Sequence, residues 1–214
     1  SDVCSSDLLQ SQRERLLHSR IGGWRLDHRR GVARPVAQSE DLRLRSHESR
    51  QPAAHPFHPR PTAQCVCRAR HEATAFSGIG AELAGGRWNH KGYPMVYTSE
   101  HLSLAVLEMF VHVSEQTAPG DMISIRASLP DAVPVTELPE SALPPNWRAV
   151  PAPAELQDIG TAWLKEGRTA VLVVPSAVTT RERNLLLNPK HPDMKFLQPD
   201  SGQPFHFDPR MFEK

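Results

Sequence analysis

Three short stretches carry side chains whose chemistry goes beyond packing. In Gly85-Gly86-Arg87-Trp88-Asn89, two glycines permit a sharp turn and a bare backbone. The guanidinium that follows is a rigid fork of donors suited to phosphate or carboxylate. Glu108 lies within HLSLAVLEMFVHV at 101–113. On a helix, Leu104, Val106, Leu107, Phe110, Val111 and Val113 take most of the circumference, leaving His101, Glu108, His112 and Glu115 a narrow polar stripe. Such a stripe faces open water in the commoner case, and a cleft in the other. Ser176 follows the apolar run VLVVP at 171–175. The carboxyl end of a central strand is where α/β sheets place site residues.

Each stretch also has a plain reading: a surface turn with an arginine, a solvated stripe, a strand-exit hydroxyl that satisfies nearby backbone. Several specific chemistries lack their signature. No GKS or GKT follows the glycines, and no apolar strand feeds them, so neither a Walker loop nor a dinucleotide fingerprint is present. Ser176 has no G-x-S-x-G elbow, which argues against an acyl-transfer nucleophile. Glu108 and His112 are spaced as a metal pair but have no third ligand at matched spacing. Cys65 and Cys67 with His71 have the wrong spacing for a zinc knuckle.

The elements that must position these groups can be read around them. CVCRA (65–69) and PMVYT (94–98) read as strands, with five glycines between them in a loop or tight-turn region at 76–92. Ser99 is expected to cap a helix that runs to about Glu115. DMISIRASL (121–129) alternates as a strand does, and 130–153, with seven prolines, reads as a long loop. AELQDIGTAWLKEG (154–167) places Leu156, Ile159, Trp163 and Leu164 at helical spacing, with Gly167 as a stop. TAVLVVP (169–175) reads as a buried strand, and NLLLNP (184–189) and FHFDP (205–209) as short ones. The mixed order predicts an α/β or α+β single domain with a central mixed β-sheet.

The chain of 214 residues holds two compositional regimes. Residues 1–70 carry 13 of the 25 basic residues, all arginine, against 7 of the 24 acids. The rest has five more acids than bases, which weighs against a nucleic-acid-binding module there. Residues 1–63 have five prolines and, as aromatics, only Trp24 and Phe57, too little apolar surface to offset ordering entropy. They are expected to be a disordered or spurious, non-native extension. SDVCSSDL at 1–8 matches the translation of a common sequencing adapter. No stretch approaches the length of a membrane span, and no signal peptide is expected, because the first 20 residues lack an apolar run. Three cysteines cannot form a disulfide framework, and their odd number points to a reducing, cytoplasmic setting.

FSGIGA…GGRWN (76–89), PMVYTSEHLSLAVLE (94–108), QDIG…W (157–163), VLVVPSAV (171–178), ERNLLLNP.HPD (182–193) and FHFDPR (205–210) together resemble the RES-domain family, over about residues 65–210 and in the family's order. The resemblance implies a fold like that of ADP-ribosyltransferases. It also implies a toxin of a bacterial toxin–antitoxin pair that consumes NAD+ as substrate, without a further cofactor or metal. Such a toxin is held inactive by a helix-turn-helix antitoxin, with a homo-oligomer expected in that complex and no direct contact with nucleic acid or membrane. By position, Arg87, Glu108 and Ser176 take the catalytic places. Arg87, Tyr97, Trp88, Asn184 and Asn188 take the NAD-binding ones. One departure stands at the first strand, where the family has an arginine near Cys65. This chain reads TAQCVCRAR, which leaves a damaged first strand or Arg68 as its substitute. The implied activity is glycohydrolysis or phosphorolysis of the nicotinamide–ribose bond. ADP-ribosyl transfer to a protein is the alternative within the enzyme class, and a non-enzymatic nucleic-acid-binding module the alternative outside it.

Overall fold

The computed structural model describes residues 62–213. The reading of residues 1–63 as an extension thus falls outside the described residues, except for Thr62 and Ala63, which begin the first strand.

Eight strands form one mixed sheet: β1 (Thr62–Arg68), β2 (Val96–Ser99), β3 (Met122–Ser128), β4 (Val135–Glu137), β5 (Val171–Pro175), β6 (Arg183–Leu187), β7 (Gln198–Pro199) and β8 (Gln203–Phe205). Their spatial order is β4-β5-β6-β2-β1-β3-β7, with β8 also paired to β3. The β4–β5 pair is parallel and the other pairs are antiparallel. Among the described residues, three α-helices accompany them: α1 (Ile79–Ala84), α2 (Leu102–Phe110) and α3 (Ala154–Glu166). None of the described helices is long and apolar enough to cross a membrane.

The unbroken apolar text of β5 and β6 has a direct cause, since both faces of the sheet are covered there. Val171, Val173, Leu185 and Leu187 pack on one face with Ala63, Val96 and Ala127. Leu172, Val174 and Leu186 pack on the other with Trp88, Trp147, Leu156 and Trp163. Each such side chain contributes about 1.5–3 kcal/mol by leaving water. The second face carries the chemistry, because α2 and α3 lie over it.

Helix α2 is shorter than its periodicity suggested. Ser99 remains in β2, where its hydroxyl donates to Asn184 Oδ1 at 2.7 Å, so it caps nothing. His101 precedes the first turn without a side-chain cap, and after Phe110 the chain tightens through His112 N–H to Met109 O and Val113 N–H to Phe110 O. An aromatic cluster holds the helix from the C-terminal side: the Phe110 ring lies 5.9 Å from that of Phe207 and 5.2 Å from that of Phe212. The glycine-rich segment, expected as loop throughout, contains α1. The proline-rich segment contains β4, and α3 ends at Gly167 as expected.

Candidate active site

Glu108 stands at the centre of a cluster drawn from four elements. Its Oε1 accepts from Ser176 Oγ at 2.8 Å and from Asn184 Nδ2 at 2.6 Å. Both bonds fall on one oxygen, which leaves Oε2 as the atom to offer a ligand. Ser176 is fully buried just past β5, and its hydroxyl oxygen accepts the N–H groups of Val178 at 3.1 Å and Thr179 at 3.0 Å. That arrangement fixes the hydroxyl proton toward Glu108. Asn184 is held in turn by Ser99. Strand register produces this convergence: Ser99 lies opposite Asn184, and Gln64 opposite Ser99. Directly opposed residues of antiparallel strands share a face.

A small cleft of about 60 Å³ opens over this row, lined by Gln64, Tyr97, Ser99, Ala105, Glu108 and Asn184 among others. It is far smaller than ordinary ligand sites of about 300–1,000 Å³.

The second arm of the site is the loop Gly85–Asn89. Asn89 is fully buried and donates to the carbonyls of Ala81 at 2.8 Å, Tyr93 at 2.9 Å and His90 at 3.2 Å. Its Oδ1 accepts the Tyr97 hydroxyl at 2.7 Å, and that hydroxyl accepts the Trp88 N–H at 2.9 Å. Helix α3 supplies the other side. Gln157 donates to Gly86 O at 2.8 Å, and Thr161 accepts from His90 N–H at 3.0 Å. Two glycines permit the close approach: a Cβ on Gly86 would strike the Tyr97 hydroxyl, and one on Gly160 would strike the Trp88 carbonyl oxygen. The QDIG…W segment is therefore the support of the GGRWN loop.

Arg87 projects from that loop and donates to Trp147 O at 2.8 Å and, more weakly, to Ala149 O at 3.4 Å. Burial lowers its pKa from the ordinary value, while the charges of Glu108 and Tyr97 act in the opposite direction. A guanidinium stays protonated in proteins, so Arg87 places a fixed positive charge beside the cluster. His112 belongs to the same neighbourhood. Burial lowers its pKa, with Glu108 opposing and Arg87 reinforcing the shift, so the ring is neutral near pH 7.

Of the residues singled out from the sequence, the fold brings together Glu108, Ser176, Asn184 and Tyr97 around the cleft, with Arg87 at its border. Two do not join them. The Trp88 side chain is 2% exposed within the apolar core, where it packs with Trp147 and Trp163, so its ring supports the loop and does not face a ligand. Asn188 lies buried beyond the other end of β6, where it accepts from Lys190 N–H at 3.1 Å and shapes a turn. Arg68 does not substitute at the first strand's cleft side, because it forks onto Asp121 at 2.8 and 3.1 Å. Cys67 is a buried free thiol pushed up to about 11 by burial and by Glu72, the reverse of what a metal thiolate requires. Sequence reasoning missed Asn89, Ser99 and Gln157 as positioning groups. Asn89 sat in plain view beside Arg87, but only the fold shows that its amide is turned inward.

Fold and site together define a single-domain α/β protein with a carboxylate-centred cleft. The chain belongs to the RES domain family, which it matches over residues 62–208. It is 40% identical over 144 residues to Toxin Res of Yersinia enterocolitica serotype O:8 / biotype 1B, covering 66% of this chain and 93% of the relative. It is 37% identical over 146 residues to the Prs ADP-ribosylating toxin of Sphingobium sp. (strain YBL2), covering 67% of this chain and 91% of the relative. The fold is shared with a chain in the crystal structure of the M. tuberculosis MbcT–MbcA toxin–antitoxin complex. The TM-score is 0.54 and the identity 18%, over 69% of this chain and 85% of that one.

Proposed function

We propose that this chain is the toxin of a bacterial toxin–antitoxin pair and that it cleaves the nicotinamide–ribose bond of NAD+, with water or phosphate as acceptor. The observation that carries this reading is the state of Glu108: a carboxylate lining the cleft, with one oxygen tied down by two donors and the other not so held. Cleavage of that bond passes through an oxocarbenium-like state, as glycoside cleavage does. The leaving group is a neutral pyridine, so no general acid is required. What lowers the barrier is a preorganised negative charge beside the sugar carbon that becomes positive.

Ser176 and Asn184 hold Glu108 in place, so the carboxylate does not have to reorient as charge develops. Tyr97 contributes its ring as one wall, because its hydroxyl is already engaged by Trp88 and Asn89. Arg87 keeps donors beyond those used on Trp147 and Ala149, and its charge suits the pyrophosphate. NAD+ is the substrate in this scheme, and the chemistry calls for no further cofactor or metal. By the same reading the protein acts in the cytoplasm. It is restrained there by a helix-turn-helix antitoxin in a complex where the toxin is itself oligomeric.

A second reading is favoured by the name of the Sphingobium relative: the ADP-ribosyl group passes to a protein. The same cleft serves if a side chain replaces water. Incubation with NAD+ labelled in the adenylate half separates the outcomes. Free ADP-ribose indicates hydrolysis, ADP-ribose 1″-phosphate indicates phosphorolysis, and label on macromolecule indicates transfer. If the purified protein releases no nicotinamide under any of these conditions, both readings are wrong.

A further inference from the structure

The turn that joins β5 to β6 carries two unusual features within two residues. Glu182 Oε2 is buried without a hydrogen-bond partner, the sole such side-chain atom among the described residues. Arg181, next to it, has φ of 67°, a left-handed conformation that side chains other than Gly, Asn and Asp rarely adopt. Buried polar atoms are nearly always satisfied, and exceptions with adjacent backbone strain gather at ligand sites.

The location gives these features a direction. Ser176 N–H donates to Glu182 O at 2.9 Å, which continues the β5–β6 ladder one step past the pair Pro175–Arg183. Glu182 therefore lies directly across from Ser176, the residue that holds Glu108. Alternation along β6 puts Glu182 on the side of Asn184, two residues on, which also holds Glu108. A second carboxylate thus lies on the cluster's side of the sheet, next to the cleft lining but not part of it, with one buried oxygen that no donor among the described residues reaches. Carboxylates that bind nucleotides commonly accept from ribose hydroxyls.

We propose that Glu182 is a further substrate-binding residue and that its inner oxygen accepts a ribose hydroxyl of the bound dinucleotide. This rests on the NAD+ reading of the cleft. The strained turn gives way as the ligand enters, and the hydroxyl then satisfies the oxygen. Glu108 and Glu182 divide the work: one faces the sugar carbon that becomes positive, the other the sugar's hydroxyls.

The test uses the full chain with Glu182→Met and Glu182→Gln. Removing an unsatisfied buried oxygen should raise the urea midpoint of the ligand-free protein, most clearly for Glu182→Met. Affinity for ADP-ribose, measured by calorimetry, should fall roughly ten-fold, the scale of one hydrogen bond to a charged group. Affinity for nicotinamide, which has no ribose, should stay the same. A merely structural glutamate would give the opposite pattern, a lower midpoint with unchanged ADP-ribose affinity, and that result overturns the proposal. Loss of ADP-ribose and nicotinamide affinity together also overturns it. If the parent protein binds ADP-ribose and consumes NAD+ while both variants match it, the NAD+ reading stands and the role of Glu182 falls. If the parent neither binds nor consumes these ligands, both fall.

Discussion

The two arms of the site are built on opposite principles. Around Glu108, side chains from β6 and the end of β5 converge on a single oxygen, Ser99 of β2 holding one of them, and leave the other oxygen without a protein donor. Around Asn89, the polar atoms turn inward: one amide binds three carbonyls, and the Tyr97 hydroxyl closes on it. The first arm rests on sheet register and offers charge. The second is a loop without regular hydrogen bonding of its own, so it needs an internal scaffold to hold Arg87 still. Residue types alone do not separate the two arms, since each is a mixture of Asn, Ser or Tyr with a charged partner. What separates them is whether the last acceptor is left for a ligand or used by the backbone.

The contrast is sharpest in a change that removes charge from the first arm without disturbing its shape. Glu108→Gln retains an oxygen able to accept from both Ser176 and Asn184. The fold should therefore hold and the urea midpoint should move little. Turnover of NAD+ should fall by about 10²–10³, the scale for losing one preorganised electrostatic group. The Michaelis constant should change far less, because the missing charge acts on the transition state. Retention of full NAD+ consumption by this variant would remove Glu108 from the mechanism.

The second arm should break through packing instead. Gly160→Ala places a methyl group against the Trp88 carbonyl, where backbone rather than a pliable side chain must yield. The expected cost is about 1–3 kcal/mol, the range for overpacking a tight contact. Thermal unfolding measures it, and an unchanged melting temperature would show that α3 does not support the loop. Tyr97→Phe is milder. It leaves the Trp88 N–H without its acceptor and Asn89 Oδ1 without its donor, while the ring remains in the cleft wall. A loss of about 1–3 kcal/mol follows from these two unmade hydrogen bonds. If the hydroxyl served the substrate directly, turnover would drop without that loss of stability.

Much of this arrangement could be read before the fold was in view, and the reasons for the exceptions are physical. Strands β5 and β6 were legible because burial on both faces forces unbroken apolar text. Helix α3 was legible because one face of it alone is apolar and a glycine stops it. The end of α2 was not, because Ser99 could cap a helix or bond across a sheet, and only the register with Asn184 decides between them. Glu108 and Ser176 could be named, yet their contact spans 68 positions and depends on strand order. Trp88 misled for a related reason. An aromatic residue beside a charged one in a glycine-rich loop suits a ligand platform, but here it is the peg that seats the loop in the core. The two asparagines that bracket the leucines of β6 have similar neighbours in sequence and opposite uses, because one end of the strand meets α2 and the other meets a turn.

His112 lies between the two arms, under the influence of both Glu108 and Arg87, and it supplies the smallest and most specific test. Its pKa in the folded protein lies below the ordinary imidazole value of about 6.5, chiefly because burial disfavours the charged ring. Above that value the ring is neutral in both folded and unfolded chains and makes stability no function of pH. As pH falls through about 6.5, the unfolded chain takes up a proton first, so the folded state loses ground. The loss continues until pH has passed below the depressed folded value, where both forms are protonated. His112→Asn abolishes this titration. Urea midpoints measured from pH 8 to pH 5 should therefore decline less steeply in the variant, and the two curves should run parallel above about pH 7.5. A change in the charge of one arm should alter the slope as well. With Glu108→Gln the opposing influence on His112 is gone, its pKa falls further, and the acid-side decline of that variant should extend to lower pH. Equal slopes in the parent and His112→Asn would mean that the imidazole is solvated in both states, and that the two arms do not meet at this residue.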